Sequence, residues 1–229
     1  VYSNTVSAVS ANSEIPTVAN TAPVTLTAPF VTVGVTVDPD RSGSALPGTV
    51  VTYTHTVTNT GNASDTFSLS GLSSQGYTVA VSDPSLTLAP GASATIVVSV
   101  TIPANAPAGT VDTTTVTATP GNDPGQSDSA SDTTTVNQTV GVTIDPDRSG
   151  SALPGTVVTY THTVTNTGNA TDTFSLSGLS SQGYSITLSD PSLTLAPGAS
   201  GTIVVSVTIP ANAPAGTVDT TTVTATPGN

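Results

Sequence analysis

Val50-Val51-Thr52-Tyr53-Thr54-His55-Thr56-Val57-Thr58 alternates Val51, Tyr53, His55 and Val57 with an unbroken series of threonines. Successive side chains of an extended chain point to opposite faces, so a period of two predicts a strand with one buried and one wet face. The same alternation recurs at residues 66–69, 77–81, 86–88, 95–102 and 113–118. Between these runs stand the breakers Leu46-Pro47-Gly48, Asn59-Thr60-Gly61-Asn62, Asp83-Pro84, Ala89-Pro90-Gly91 and Pro103-Ala104-Asn105-Ala106-Pro107-Ala108-Gly109. Glycine and proline at that spacing mark turns, and no helical period survives anywhere. The pattern predicts an all-β, immunoglobulin-like sandwich, since about seven short strands per roughly 100 residues is that architecture's signature. Its expected core is Val51, Tyr53, Val57, Phe67, Leu69, Val79, Leu88, Ile102 and either Ile96 or Val97.

The run occurs twice. Gly34-Val35-Thr36-Val37-Asp38-Pro39-Asp40-Arg41 stands over Gly141-Val142-Thr143-Ile144-Asp145-Pro146-Asp147-Arg148, an offset of 107 residues. From 34–122 to 141–229 the differences are Val37/Ile144, Ser64/Thr171, Thr78/Ser185, Val79/Ile186, Ala80/Thr187, Val81/Leu188 and Ala94/Gly201. Cores accept many exchanges at constant volume, so such identity exceeds what a shared fold requires and points to duplication within an array. The expected organisation is an N-terminal extension over 1–30, a first module over 31–122, an acidic Ser/Thr-rich linker or extra strand over 123–139, and a second module over 140–229.

Composition narrows the function classes. Of 229 residues, two are Arg, none is Lys and fourteen are acidic, for a net charge of −12. No basic surface exists to neutralise a phosphate backbone or an anionic bilayer, which argues against nucleic acid and membrane-surface roles. No stretch approaches the 18 or so uncharged apolar residues of a membrane span. Cysteine is absent, and the lysine-free, Ser/Thr-rich surface predicts an extracellular or cell-surface location. Lysine's absence also excludes Lys–Asn isopeptide cross-links.

Pro47-Gly48-Thr49-Val50-Val51-Thr52-Tyr53, Val57-Thr58-Asn59-Thr60-Gly61-Asn62-Ala63, Leu88-Ala89-Pro90-Gly91-Ala92 and the 102–109 segment follow one another in an order that resembles a known family. The resemblance is to the Ig-like repeats of bacteria and archaea related to CARDB and to the modules beside α-galactosidase and NPCBM domains. It covers almost all of each unit. What it implies is a spacer, stalk or adhesive module of secreted and surface proteins, with no catalytic residue. His55 and His162 depart from it, standing where such repeats place an apolar residue.

Site chemistry is sparse. A catalytic or metal-binding His55 needs acids or a second histidine converging on it, and none lies nearby in sequence, so a packed histidine is expected. No enzyme constellation stands out from the serine-rich background. Asp38 and Asp40, repeated as Asp145 and Asp147, are spaced like the start of an oxygen-ligand loop that would take calcium, though Arg41 intrudes and Thr49 stands where an EF-hand has its bidentate Glu. The alternative for that loop is a simple turn at the first strand. Asn62 and Asn169 fit the glycosylation sequon.

The frame of the repeat has two readings: a window of a longer array, in which the frame carries no meaning, or an offset that serves self-association. The second unit has no counterpart of residues 123–140, and the register lays residues 16–33 over that stretch. Pro23-Val24-Thr25-Leu26-Thr27 alternates like a strand. The expectation is a homopolymer built head to tail, in which Val24 and Leu26 of one subunit add a strand to the open edge of its neighbour. The fibre or surface-stalk subunit is therefore the first reading. The alternative is an accessory polysaccharide-binding or spacer module of a secreted glycoside hydrolase or adhesin, with Tyr2 and Phe30 as the aromatics left over to meet surface glycans.

Overall fold

The computed structural model describes residues 2–7, 19–24 and 30–229. Near the N-terminus β1 (Tyr2–Ser7) and β2 (Ala19–Val24) pair antiparallel, with Tyr2 opposite Val24.

The first module is a two-sheet sandwich of nine strands. These are β3 (Val35–Asp38), β4 (Arg41–Ala45), β5 (Val50–Asn59), β6 (Asp65–Ser73), β7 (Thr78–Val81), β8 (Ser85–Leu88), β9 (Ser93–Thr101), β10 (Val111–Pro120) and β11 (Asp128–Val136). One sheet has the order β3-β5-β9-β7 and the other β4-β11-β10-β6-β8. The expected alternation holds along β5: Tyr53, His55 and Val57 are buried and the intervening threonines exposed. Ile96, opposite His55 on β9, is buried and Val97 is 38 % exposed, which decides between the two core residues the alternation left open. Phe67, Val98, Val100 and Val116 complete the centre. Burying each such side chain contributes about 1.5–3 kcal/mol. Gly71 on β6 lies where a Cβ would come within 2.5 Å of Val79 Cγ1, so a side chain there would separate the sheets.

The segment between the repeats is largely strand. β11 lies antiparallel to β10 on one side and parallel to β4 on the other. The stretch that resembled a ligand loop accordingly continues, beyond a cis Asp38–Pro39 bond, into β4. β10 starts two residues before its apolar alternation does. Its Asp112 is wholly buried and accepts hydrogen bonds from Ser73 Oγ, Ser74 Oγ, Gln75 N and Thr114 Oγ1. Burial alone would raise the Asp112 carboxyl, but these donors outweigh it and hold it below the ordinary carboxylate range.

The second module repeats the fold with fewer strands among the described residues: β12 (Val142–Asp145), β13 (Val157–Asn166), β14 (Asp172–Ser180), β15 (Ser185–Leu188), β16 (Ser192–Leu195), β17 (Ser200–Thr208) and β18 (Thr221–Thr226). Its sheets are β12-β13-β17-β15 and β16-β14-β18. The chain is thus a tandem of immunoglobulin-like sandwiches, and among the described residues no strand takes the places of β4 and β11 in the second.

Candidate functional site

The place that β11 occupies in the first module is the candidate site. Its burial alternates, with Ala130, Asp132, Thr134 and Val136 facing inward. Ala130 packs into the main core, and Val136 packs with Ile102 and Ala106. Three polar contacts fix the register. Asp128 Oδ2 accepts from Val37 N at 2.9 Å, Asp132 Oδ2 meets His55 Nε2 at 3.0 Å, and the Thr134 and Tyr53 hydroxyls lie 2.7 Å apart. His55 Nδ1 lies 3.0 Å from Pro39 O, which fixes the ring.

The His55–Asp132 pair is wholly buried on both sides. Burial pushes the Asp132 carboxyl above the ordinary carboxylate range, against the hydrogen bond and charge of His55. Its Oδ1 has no partner among the described residues. A pair so enclosed reaches no substrate, and its role is to lock β11 in register. Sequence reading missed Asp132 because it lies 77 residues from His55; the signal that could have found it is an acid at an inward position of a strand-like run.

The second module carries the same receiving residues without the strand. Tyr53 is 5 % exposed and Val116 and Ala118 are 0 %, whereas Tyr160, Val223 and Ala225 are half-buried. Leu153 and Val218 are 75 % and 77 % exposed, against 46 % and 47 % for Leu46 and Val111. His162 keeps its Nδ1 contact with Pro146 O at 2.9 Å, and no described residue meets its Nε2. An open cavity of about 920 Å³ runs past Ile144, Tyr160, His162, Val205, Val207 and Val223. The same side chains, but for Ile144 in the place of Val37, therefore line a groove that β11 fills in one module and that no described strand fills in the other. The groove is bordered by an edge of β18 that pairs with no other strand among the described residues.

The other residues singled out from sequence lie elsewhere. Asp38, Asp145 and Asp147 are exposed, and Asp40 Oδ1 accepts from Ser131 N at 2.8 Å. Among the described residues no three His, Cys, Asp or Glu side chains gather as a metal-holding group. Asn62 is exposed. Asn169 is 8 % exposed, and its Nδ2 donates to both Ala106 O and Asn137 O, so a glycan there would displace one of these bonds. Val24 ends β2, opposite Tyr2, and Leu26 lies outside the described residues. No helix among the described residues is long and apolar enough to cross a membrane.

A family described as the VWA7 Ig-like domain matches residues 34–140 and again 141–229, and the first match takes in β11. No curated protein matches the chain. Similar solved structures include a family 123 glycoside hydrolase from Clostridium perfringens, 12 % identical with a TM-score of 0.38 over 46 % of this chain and 27 % of that one. The secreted serine protease VesC from Vibrio cholerae is 12 % identical with a TM-score of 0.35, over 79 % of this chain and 48 % of its own. The E. coli chaperone DraB is 15 % identical with a TM-score of 0.33, over 79 % and 87 %. The chain thus spans about a quarter of the hydrolase and about half of the protease.

Proposed function

The chain belongs to the VWA7 Ig-like domain family, and from that premise we propose that it is a structural subunit of an extracellular fibre or surface stalk, joined head to tail by donation of a β-strand. The observation that carries this reading is the pair of grooves, one occupied by β11 and one open, built from the same residues but for Val37/Ile144. At the 107-residue offset, residues 21–29 stand over β11, with Thr25 in the place of Asp132 and Thr27 in that of Thr134. Those two threonines then face the groove. Val24 and Leu26 take the outward places of Ser131 and Thr133, because a slip of one residue exchanges every side chain between faces. A donor on one subunit and an acceptor on the next make a contact that does not close on itself, so the product is a filament. The lysine-free, acidic, Ser/Thr-rich surface and the resemblance to CARDB-type modules support an exported location.

Negative-stain imaging of two double variants tests both the donation and its register. Thr25→Arg/Thr27→Arg is expected to abolish fibres, since two guanidinium groups cannot be buried unpaired in the groove. Val24→Asp/Leu26→Asp, which alters the outward face, is expected to spare them. Undiminished fibres in both variants would sink strand donation.

A further inference from the structure

Asn169 is the hinge-pin of the joint between the two sandwiches. Its Nδ2 donates to Asn137 O at 3.0 Å and to Ala106 O at 3.1 Å, and its Oδ1 accepts from Thr139 N at 2.7 Å. Its backbone N donates to Thr139 O at 3.2 Å, and its backbone O accepts from Ala108 N at 3.0 Å. Two of these bonds therefore reach across to the 103–109 loop of the first module. Gly168 permits the close approach: a Cβ there would lie 2.6 Å from Thr139 O.

Asn62, 107 residues earlier, makes the local half of this set. Its Nδ2 donates to Phe30 O at 2.7 Å, its Oδ1 accepts from Thr32 N at 2.8 Å, and its N donates to Thr32 O at 3.1 Å. Gly61 again stands 2.6 Å, measured from its would-be Cβ, from Thr32 O. The second Nδ2 hydrogen and the backbone carbonyl of Asn62 have no partner among the described residues. The complementary half is at the other end of the molecule. Residues 210–216 repeat the sequence of 103–109 and its turns: Ala213 N bonds Pro210 O at 3.1 Å as Ala106 N bonds Pro103 O, and Thr217 N bonds Pro214 O as Thr110 N bonds Pro107 O. Among the described residues Ala213 O and Ala215 N, the counterparts of the groups that meet Asn169, have no partner. Burial agrees with this: Ala106 and Asn169 are buried, Ala213 is half-buried and Asn62 is exposed.

We infer that the 210–216 loop of one copy seats on Asn62 of a second copy, reproducing between subunits the joint built once within the chain. Ala213 O accepts from Asn62 Nδ2, and Ala215 N donates to Asn62 O. The 210–216 loop is identical in sequence to the 103–109 loop that already fits, and the turn Asn59-Thr60-Gly61-Asn62-Ala63 to the turn that carries Asn169, with Phe30 and Val31 standing where Asn137 and Gln138 back that turn through main-chain groups, which identifies the occupant as a second copy of this chain. The inference rests on the strand-donation reading, because two hydrogen bonds are too few to hold an intermolecular contact alone. Strand insertion supplies the hold, and the joint sets the angle, so module follows module across the subunit boundary as it does inside the subunit.

Ala215→Pro tests the joint selectively. Ala215 is the second residue of a turn that Gly216 completes at a φ of +81°, a position that proline favours, so the variant keeps the loop and loses only the free N–H. Asn62→Asp, which removes both Nδ2 donors, is the second variant. Sedimentation velocity over a concentration series is expected to show half-assembly shifted upward by about tenfold in each, the loss of roughly one hydrogen bond. Unchanged assembly in both variants, with Thr25→Arg/Thr27→Arg still abolishing it, would overturn the joint and leave strand donation standing. Failure of the unvaried chain to assemble would overturn both.

Discussion

His55 is held from both ring nitrogens, Nδ1 against Pro39 O and Nε2 against Asp132, inside a closed sandwich. Removing one partner of such a buried pair leaves the other uncompensated, at a cost of about 3–5 kcal/mol. His162 has the Pro146 contact but lies half-exposed at the open groove, where water solvates whatever is left behind. His55→Ala is therefore expected to destabilise the first module by that amount, and His162→Ala to cost the second about 1 kcal/mol or less. Urea unfolding of both variants, at concentrations too dilute for assembly, checks the contrast. Equal losses would mean that the Asp132 contact contributes little.

At the scale of elements, β10 and β18 share a sequence and differ in company. β10 is paired on both sides, to β6 and to β11, and runs from Val111 to Pro120; β18, among the described residues, is paired only to β14 and runs from Thr221 to Thr226. A strand with one bare edge opens locally at lower cost than a central one. Amide hydrogen exchange in the dissociated protein is expected to be faster at residues 221–226 than at 114–119, and slower at 221–226 once fibres form. Equal rates in the dissociated state would show that β18 is protected without a neighbour. The same contrast explains why the six alternating runs were legible and β11 stayed open between linker and extra strand. Apolar alternation marks a strand with one dry face, whereas Asp128-Ser129-Ala130-Ser131-Asp132-Thr133-Thr134-Thr135-Val136 has few apolar residues and reads equally as a linker.

For the whole molecule, the segment proposed as donor would suit the open groove less well than β11 suits its own. In that arrangement Thr25 would offer His162 a short hydroxyl where Asp132 offers His55 a carboxylate, and Pro29 lacks the N–H through which Val136 bonds Thr110 O. Thr25→Asp is expected to strengthen assembly by about tenfold or more by restoring a charge-assisted bond to His162. Its gain should vanish when His162 is also changed to Ala. Light scattering across a dilution series reads both, and a gain that survives His162→Ala would place Thr25 elsewhere than against that histidine.

Read alone, the amino-acid sequence determined the strands, their inward faces, the two modules at an offset of 107 residues and the impossibility of a lysine cross-link. These follow from the two-residue period, the turn residues and self-comparison, all of which are local or one-dimensional. Tertiary structure alone decided that residues 128–136 complete the first sandwich, that β4 runs parallel to them, that His55 finds Asp132, and that Asn169 pins one module to the next. Each depends on which distant polar group fills a given vacancy. Serine, threonine and aspartate satisfy such vacancies or water almost equally well, so their sequence leaves the choice to the packing around them.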